Sequence, residues 1–153
     1  MLRAIVQHVD GFHLVGKSNS NHWVSMDGSV TSGGEDSAPR PKELLLLALG
    51  GCTAFDIHMV LEKRRVQPKR FTIELEADEA GEHPMVFTEI RMTYQFEGDL
   101  PVADLERAIR LSQDKYCSVS AMLRRVCPIR WRAMLDGREV LAGESSEAKT
   151  GAA

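Results

Sequence analysis

The sequence has few cysteines and no framework to join them. Its three thiols, at positions 52, 117 and 127, are odd in number and far apart. That excludes a disulfide-stapled secreted scaffold and suits a reducing compartment. No CxxC or HxxxH pairing occurs, and His13, His22, His58 and His83 are scattered, so the spacing of a zinc site is absent. GxGxxG, P-loop and GxSxG patterns are missing too. There is no long basic block. With 19 basic and 22 acidic residues the net charge is −3, and nucleic acid is not an expected partner. The N-terminal MLRAIVQHVDGFH lacks a long apolar core and a small-residue cleavage pattern. Neither signal peptide nor membrane anchor is expected, and a cytoplasmic location follows. No internal repeat is found.

What the chain does have is one strongly apolar stretch, Pro41 to Arg65. Leu44 to Leu47, Ala48 and Leu49 follow one another without a polar break. A helix with no polar face is buried on all sides. Bounded by Glu43 and Asp56, the apolar run is shorter than the ~20 residues of a membrane span. Proline suits the first helical turn, where its missing N–H has no partner to lose. Gly50 and Gly51 each cost roughly 1 kcal/mol in mid-helix, which predicts the close approach of another backbone. Cys52 follows them directly.

The other elements are legible from their periods. Residues 2–8 and 12–15 read as a hairpin turning at Asp10-Gly11, and 22–26 as a third strand. Residues 28–40 are a Gly-, Ser- and Pro-rich loop. FTIELEAD at 71–78 alternates, with Phe71, Ile73, Leu75 and Ala77 on one face. FTEIRMTYQFEG at 87–98 does the same, with Ile90, Met92, Tyr94 and Phe96 inward. Leu105, Ala108, Ile109 and Ser112 follow the i, i+3, i+4, i+7 rule of a helix. A short helix over 118–126 comes next, ended by Pro128, then a last strand over 129–135. A length of 153 residues suits a single domain, set at 1–142, with a small polar tail over 143–153 expected to be disordered. This order predicts an α+β fold in which one antiparallel sheet curls around a long buried helix. A homodimer with its helices near the two-fold axis would complete the burial.

The thiols are the candidates for chemistry. Free cysteine is among the most buried residue types, so packing alone accounts for most of them. Cys52 stands out for its glycines. Cys117 stands out for its place at a helix start, where the dipole favours a thiolate, with Lys115 nearby. Asp56 lies one turn after Cys52 on the same face. An ionised carboxylate there opposes a thiolate, which favours a structural role, such as capping a loop or meeting an arginine. Cys127, before Pro128, reads as a packing residue, and His58 as a hydrogen-bonded structural one.

APRPKELLLLALGGCTAFDI together with KYCSVSAML resembles the paired-cysteine signature of the OsmC/Ohr family, osmotically inducible protein C and organic hydroperoxide resistance. The YhfA-like branch shares the GGC with an aspartate four places on, and the KYCSV motif. The resemblance covers most of residues 1–136. It implies an OsmC-like, intertwined α+β homodimer and a thiol peroxidase that needs no cofactor or metal. Cys52 would be peroxidatic and Cys117 resolving. An organic hydroperoxide would be the substrate, and an external dithiol or lipoyl-type molecule the reductant. Peroxidase branches of the family carry a glutamate directly after the helix-opening proline, paired with an N-terminal arginine that holds the thiolate. Here Lys42 follows Pro41, and Glu43 stands about 100° further round the helix. Arg3 and Arg40 are the candidate arginines, so the activating pair is missing or rebuilt. A non-catalytic dimer binding a lipid-like molecule, a redox sensor, and a cysteine enzyme acting on another electrophile are the alternatives.

Overall fold

The computed structural model describes residues 1–145, which divide into two compact units, residues 1–47 and residues from 48 onward. The first holds three antiparallel strands, β1 (Ala4–Asp10), β2 (His13–Ser18) and β3 (Val24–Met26), in that order across the sheet. The β1–β2 hairpin turns at Gly11, whose φ of +51° is one a side chain rarely tolerates. The Asp10 carboxylate accepts from the Gly11 N–H at 2.9 Å. In the loop that follows, the buried Asp27 carboxylate accepts from the backbone of Ser37, the Ser37 hydroxyl and the backbone of Gly28 and Glu35. The Ser37 backbone bond is the largest of several effects that hold its carboxyl low, at about 2.

Helix α1 (Pro41–Lys63) matches the predicted stretch to within two residues. At its entry the Glu43 carboxylate reaches back to the Arg40 N–H at 2.9 Å, half of a capping box. Burial is one-sided, contrary to the expectation from composition. From residue 48 on, Leu49, Thr53, Ile57, Val60 and Leu61 are buried, spaced as a single helical face. Phe55 on the other side is 79% exposed. The leucine run makes the helix apolar all round, but one chain covers only one face. By length and composition alone α1 also passes for a membrane span, with a mean hydropathy of 1.9 over 18 residues, because an isolated charge such as Asp56 barely lowers the average. One face of it, Leu49, Thr53, Ile57, Val60 and Leu61, is nevertheless packed within the second unit. The glycine expectation needs a similar correction. A Cβ on Gly50 would meet the Leu75 side chain at 2.8 Å, not a backbone, and one on Gly51 would meet nothing.

The second unit contains a four-stranded sheet in sequence order, β4 (Arg70–Glu79), β5 (Phe87–Glu97), β6 (Ile129–Leu135) and β7 (Arg138–Glu144). The inward residues of β5 are those its alternation predicts, with Ile90, Met92, Tyr94 and Phe96 buried. Phe71 of β4 stacks on Phe96 with ring centroids 4.6 Å apart. The single antiparallel sheet of the sequence reading becomes two sheets, and β5 and β6 are parallel. The connection between them carries α2 (Val102–Leu111), a π-helical turn (Ser112–Tyr116) and α3 (Ser118–Leu123). A parallel pair needs such a crossover, whereas a hairpin does not.

Strand β7 went unpredicted. Asp136 and Gly137 form its turn with φ of 48° and 78°, the conformation that Asp-Gly favours in tight hairpins. Gly143 and Glu144, assigned to the tail, complete this strand, and Ser145 is buried. The remainder of the expected tail lies outside the described residues. Gly143 is required by packing, since a Cβ there would stand 2.5 Å from the Trp131 ring. That contact is with a rigid indole. Gly143→Ala is expected to destabilise the protein by about 1–3 kcal/mol, read as a lowered urea midpoint with an unchanged slope.

Candidate active site

The site is built from two places in the second unit. Helix α1 supplies Cys52 and Asp56, four residues apart and therefore neighbours on the helix surface. The α2–α3 connection supplies Cys117. Helix α2 ends in a widened turn in which the Cys117 N–H donates to the Ser112 carbonyl at 2.9 Å, five residues back. Such π-turns recur at functional sites. Cys117 then leaves the helical conformation and becomes the N-cap of α3, its Sγ accepting from the Ser120 N–H at 3.3 Å. The Cys52 and Cys117 sulfurs and an Asp56 carboxylate oxygen all lie within 4.8 Å of one another. All three cysteines are free thiols.

The two thiols differ in setting. Cys52 is half-buried, whereas Cys117 is only 2% exposed. Burial pushes the Cys117 thiol up to about 11, against the Thr53 hydroxyl and the Ser120 N–H, which both donate to the sulfur and lower it. The neighbouring Cys52 sulfur raises it further, as a hydrogen-bond acceptor and as a charge. The helix-start argument for a ready Cys117 thiolate is thereby reversed: the six-residue α3 cannot offset the desolvation. Nor does Lys115 help directly, since its ammonium lies over the Tyr116 ring, 5.6 Å from the centroid.

Asp56 is held by the Ser112 hydroxyl, which donates to Oδ2 at 3.0 Å. Partial burial raises its carboxyl above the ordinary range, and the Ser112 bond opposes this. Asp56 thus meets the hydroxyl of a serine in the π-turn, where a loop cap or an arginine is the expectation from sequence. Among the described residues, Cys52, Asp56 and Cys117 form the one group of three side chains able to ligate a metal ion together.

Behind the thiols runs a buried polar network that the sequence reading missed. Gln113 donates to the Tyr94 hydroxyl at 2.7 Å and accepts from the hydroxyls of Ser120 at 2.8 Å and Ser145 at 2.6 Å. Arg124 donates to the Gln113 carbonyl at 2.8 Å. These bonds fix the π-turn and the first turn of α3. Thr53, Gln113 and Ser120 were unmarked in the sequence. Ser112 was already placed on the buried face of α2, and a buried hydroxyl must find a partner.

Within the second unit, Cys127 and His58 are not part of this cluster. Cys127 is buried at the end of α3, its thiol raised by burial and then by the Glu89 charge. His58 is exposed on α1. In the first unit, Arg40 pairs with Asp36 at 2.9 Å and with Glu43 at 3.3 Å, so a glutamate–arginine pair exists at the entrance of α1. Arg3 makes its recorded hydrogen bonds through its backbone.

The Cys117 thiol is buried and raised to about 11 by that burial, whereas Cys52 is half-exposed. Iodoacetamide is therefore expected to label Cys52 well before Cys117, with the Cys117 rate climbing steadily up to pH 10. Thr53→Val, which removes a donor to that sulfur, should slow Cys117 further. Peptide mass spectrometry of timed samples reads both rates, and equal labelling at neutral pH would contradict the assignment.

Comparison with known proteins places this geometry. A family model described as OsmC-like protein matches residues 34–132. Protein YhfA of Escherichia coli K12 is 39% identical over 129 residues, covering 84% of this chain and 93% of the relative. A crystal structure of a hypothetical protein from Aquifex aeolicus VF5 is 27% identical with a TM-score of 0.75, covering 89% of this chain and 98% of the other. An organic hydroperoxide resistance protein OsmC from Legionella pneumophila aligns with a TM-score of 0.65 over 86% of this chain and 96% of its own. At 14% identity that likeness concerns the fold.

Proposed function

The chain belongs to the OsmC-like family, and from that premise we propose that it is a cysteine-based peroxidase that reduces organic hydroperoxides. The observation that carries the proposal is the pair of free sulfurs within 4.8 Å, one half-exposed and one buried. A disulfide needs about 2.05 Å between sulfurs. Closing the gap requires the two sulfurs to approach by less than about 3 Å.

The difference between the thiols assigns the roles. Cys52 is the half-exposed one, open to a substrate from solvent, and Cys117 is buried beside it. Cys52 is therefore peroxidatic. Its thiolate attacks the outer oxygen of the hydroperoxide, the O–O bond breaks, the alcohol leaves, and a sulfenic acid forms. Cys117 is resolving: it condenses with that sulfenic acid to a disulfide and releases water. An external dithiol, of lipoyl type or similar, returns the pair to thiols by exchange. The name of the Legionella neighbour agrees with a hydroperoxide substrate.

The protein acts as a homodimer. Every residue of β1 is exposed, with Ile5, Val6 and Val9 among them, and in the second unit Phe55 and Met59 of α1 are exposed as well. Apolar surface of that extent is covered by a partner in soluble proteins. The odd set of unpaired thiols suits a reducing cytoplasm.

Two measurements test this. Cys52→Ser is expected to abolish consumption of cumene hydroperoxide with a dithiol as reductant. Cys117→Ser should consume one equivalent and stop at a Cys52 sulfenic acid trapped by dimedone. Undiminished turnover by Cys52→Ser would end the peroxidase reading. Sedimentation at micromolar concentration is expected to return twice the mass of the 17.0 kDa chain, and a monomer would end the dimer reading.

A further inference from the structure

The resolving thiol raises a chemical difficulty. To attack a sulfenic acid, Cys117 must give up its proton, because the thiolate is the nucleophile. Yet it is buried, and burial raises the thiol and holds the proton on it. The side chain placed to take the proton is Asp56. Its carboxylate lies within 4.8 Å of both sulfurs. It rises from the same face of α1 as Cys52 and faces the N-cap of α3, where Cys117 sits.

We propose that Asp56 is the general base of the resolving step, taking the Cys117 proton as that sulfur displaces hydroxide from the Cys52 sulfenic acid, and then giving the proton to the hydroxide. The proposal rests on the peroxidase reading and deepens it. In this step an electron pair on the Cys117 sulfur forms the S–S bond. The S–O bond of Cys52 breaks, and its electrons leave with the oxygen. The proton carried by Asp56 converts the leaving hydroxide to water, so the carboxylate ends as it began. Cys117 is oxidised and the sulfenic sulfur reduced, with the hydroperoxide as the ultimate oxidant.

Three features of the site suit this role. The Ser112 hydroxyl fixes one carboxylate oxygen at 3.0 Å, and a carboxylate keeps capacity for further hydrogen bonds. Partial burial raises the Asp56 carboxyl, which narrows its distance in basicity from the thiol it serves. Finally, Asp56 meets titratable groups from both sides of the site, Cys52 on its own helix and Cys117 from the α3 entry, while Ser112 from the π-turn stays neutral. A proton can thus pass from one sulfur's side to the other without leaving the cluster. A bare structural tie between α1 and the π-turn would need only a hydrogen-bond acceptor for Ser112, which an amide also supplies.

The test separates the two half-reactions in the full-length protein with one equivalent of cumene hydroperoxide. In Asp56→Asn, Cys52 sulfenic acid, trapped with dimedone at timed intervals, is expected to form within a few-fold of the wild-type rate. Disulfide formation should fall by about 10²-fold or more, the usual weight of a general base. In Asp56→Ala, added formate should restore the resolving rate in proportion to its concentration. Ser112→Ala provides a second route should either variant fold poorly, and is expected to slow disulfide formation several-fold without slowing sulfenic acid formation. Wild-type resolving rates in Asp56→Asn would overturn the proposal. So would equal slowing of both half-reactions, or a slowed resolving step that formate leaves unchanged, either of which marks a structural tie. A wild-type Cys52 that forms no sulfenic acid would instead overturn the peroxidase reading on which the proposal stands.

Discussion

The site depends on how a buried sulfur is satisfied. Cys117 sits where a π-turn becomes a helix, and its sulfur accepts from Thr53 of α1 and from the backbone of Ser120. The same two segments are joined again by Ser112 and Asp56. Thr53 is adjacent to Cys52 and Asp56 is one turn from it. The pairing of the sulfurs is therefore set by two side-chain hydrogen bonds between segments more than fifty residues apart. Unmaking such a buried bond leaves a donor unsatisfied at a cost of about 1–3 kcal/mol, and that cost keeps the geometry fixed.

The polar network behind the thiols is part of the same constraint. A π-turn widens the helix and leaves backbone groups to be accounted for. Arg124 takes the carbonyl of Gln113, and the Gln113 side chain ties β5 through Tyr94, α3 through Ser120, and the end of β7 through Ser145. No buried side-chain nitrogen or oxygen among the described residues lacks a partner. A network in that condition rigidifies a unique arrangement, whereas a half-satisfied one would loosen it. The π-turn can thus present Cys117 in one orientation while β7, at the far end of the sequence, supplies part of the support.

What the sequence revealed follows from which forces are local. The alternation of β5 and the 3–4 spacing of α2 are written in adjacent residues, because each has one buried face. The two motifs around Cys52 and Cys117 carried the resemblance to the family, and the family comparison agrees with it. Parallel pairing of β5 and β6 was hidden, since strand direction depends on the path of the crossover and not on either strand. Strand β7 is signalled in the sequence by Asp136-Gly137, the dipeptide of a tight hairpin turn. The ionisation of Cys117 is not legible in the same way: a helix start is visible in sequence, but desolvation is a property of everything packed around the sulfur.

Helix α1 shows how a single pattern can carry two demands. Its leucine run reads as burial on every side, yet in one chain only the face of Leu49, Thr53, Ile57, Val60 and Leu61 is covered. The polar members of that helix lie where chemistry needs them. Thr53 is buried at the edge of Cys52, and Asp56 is partly desolvated one turn on. An ionised carboxylate beside two thiols opposes their ionisation. In the proposed resolving step, the same proximity lets it take the proton that Cys117 loses. A site with a strong fixed cation would stabilise a thiolate outright. In the proposed cycle, a carboxylate in this position instead carries a proton between attack by Cys52 and attack by Cys117, and leaves the site with its charge unchanged.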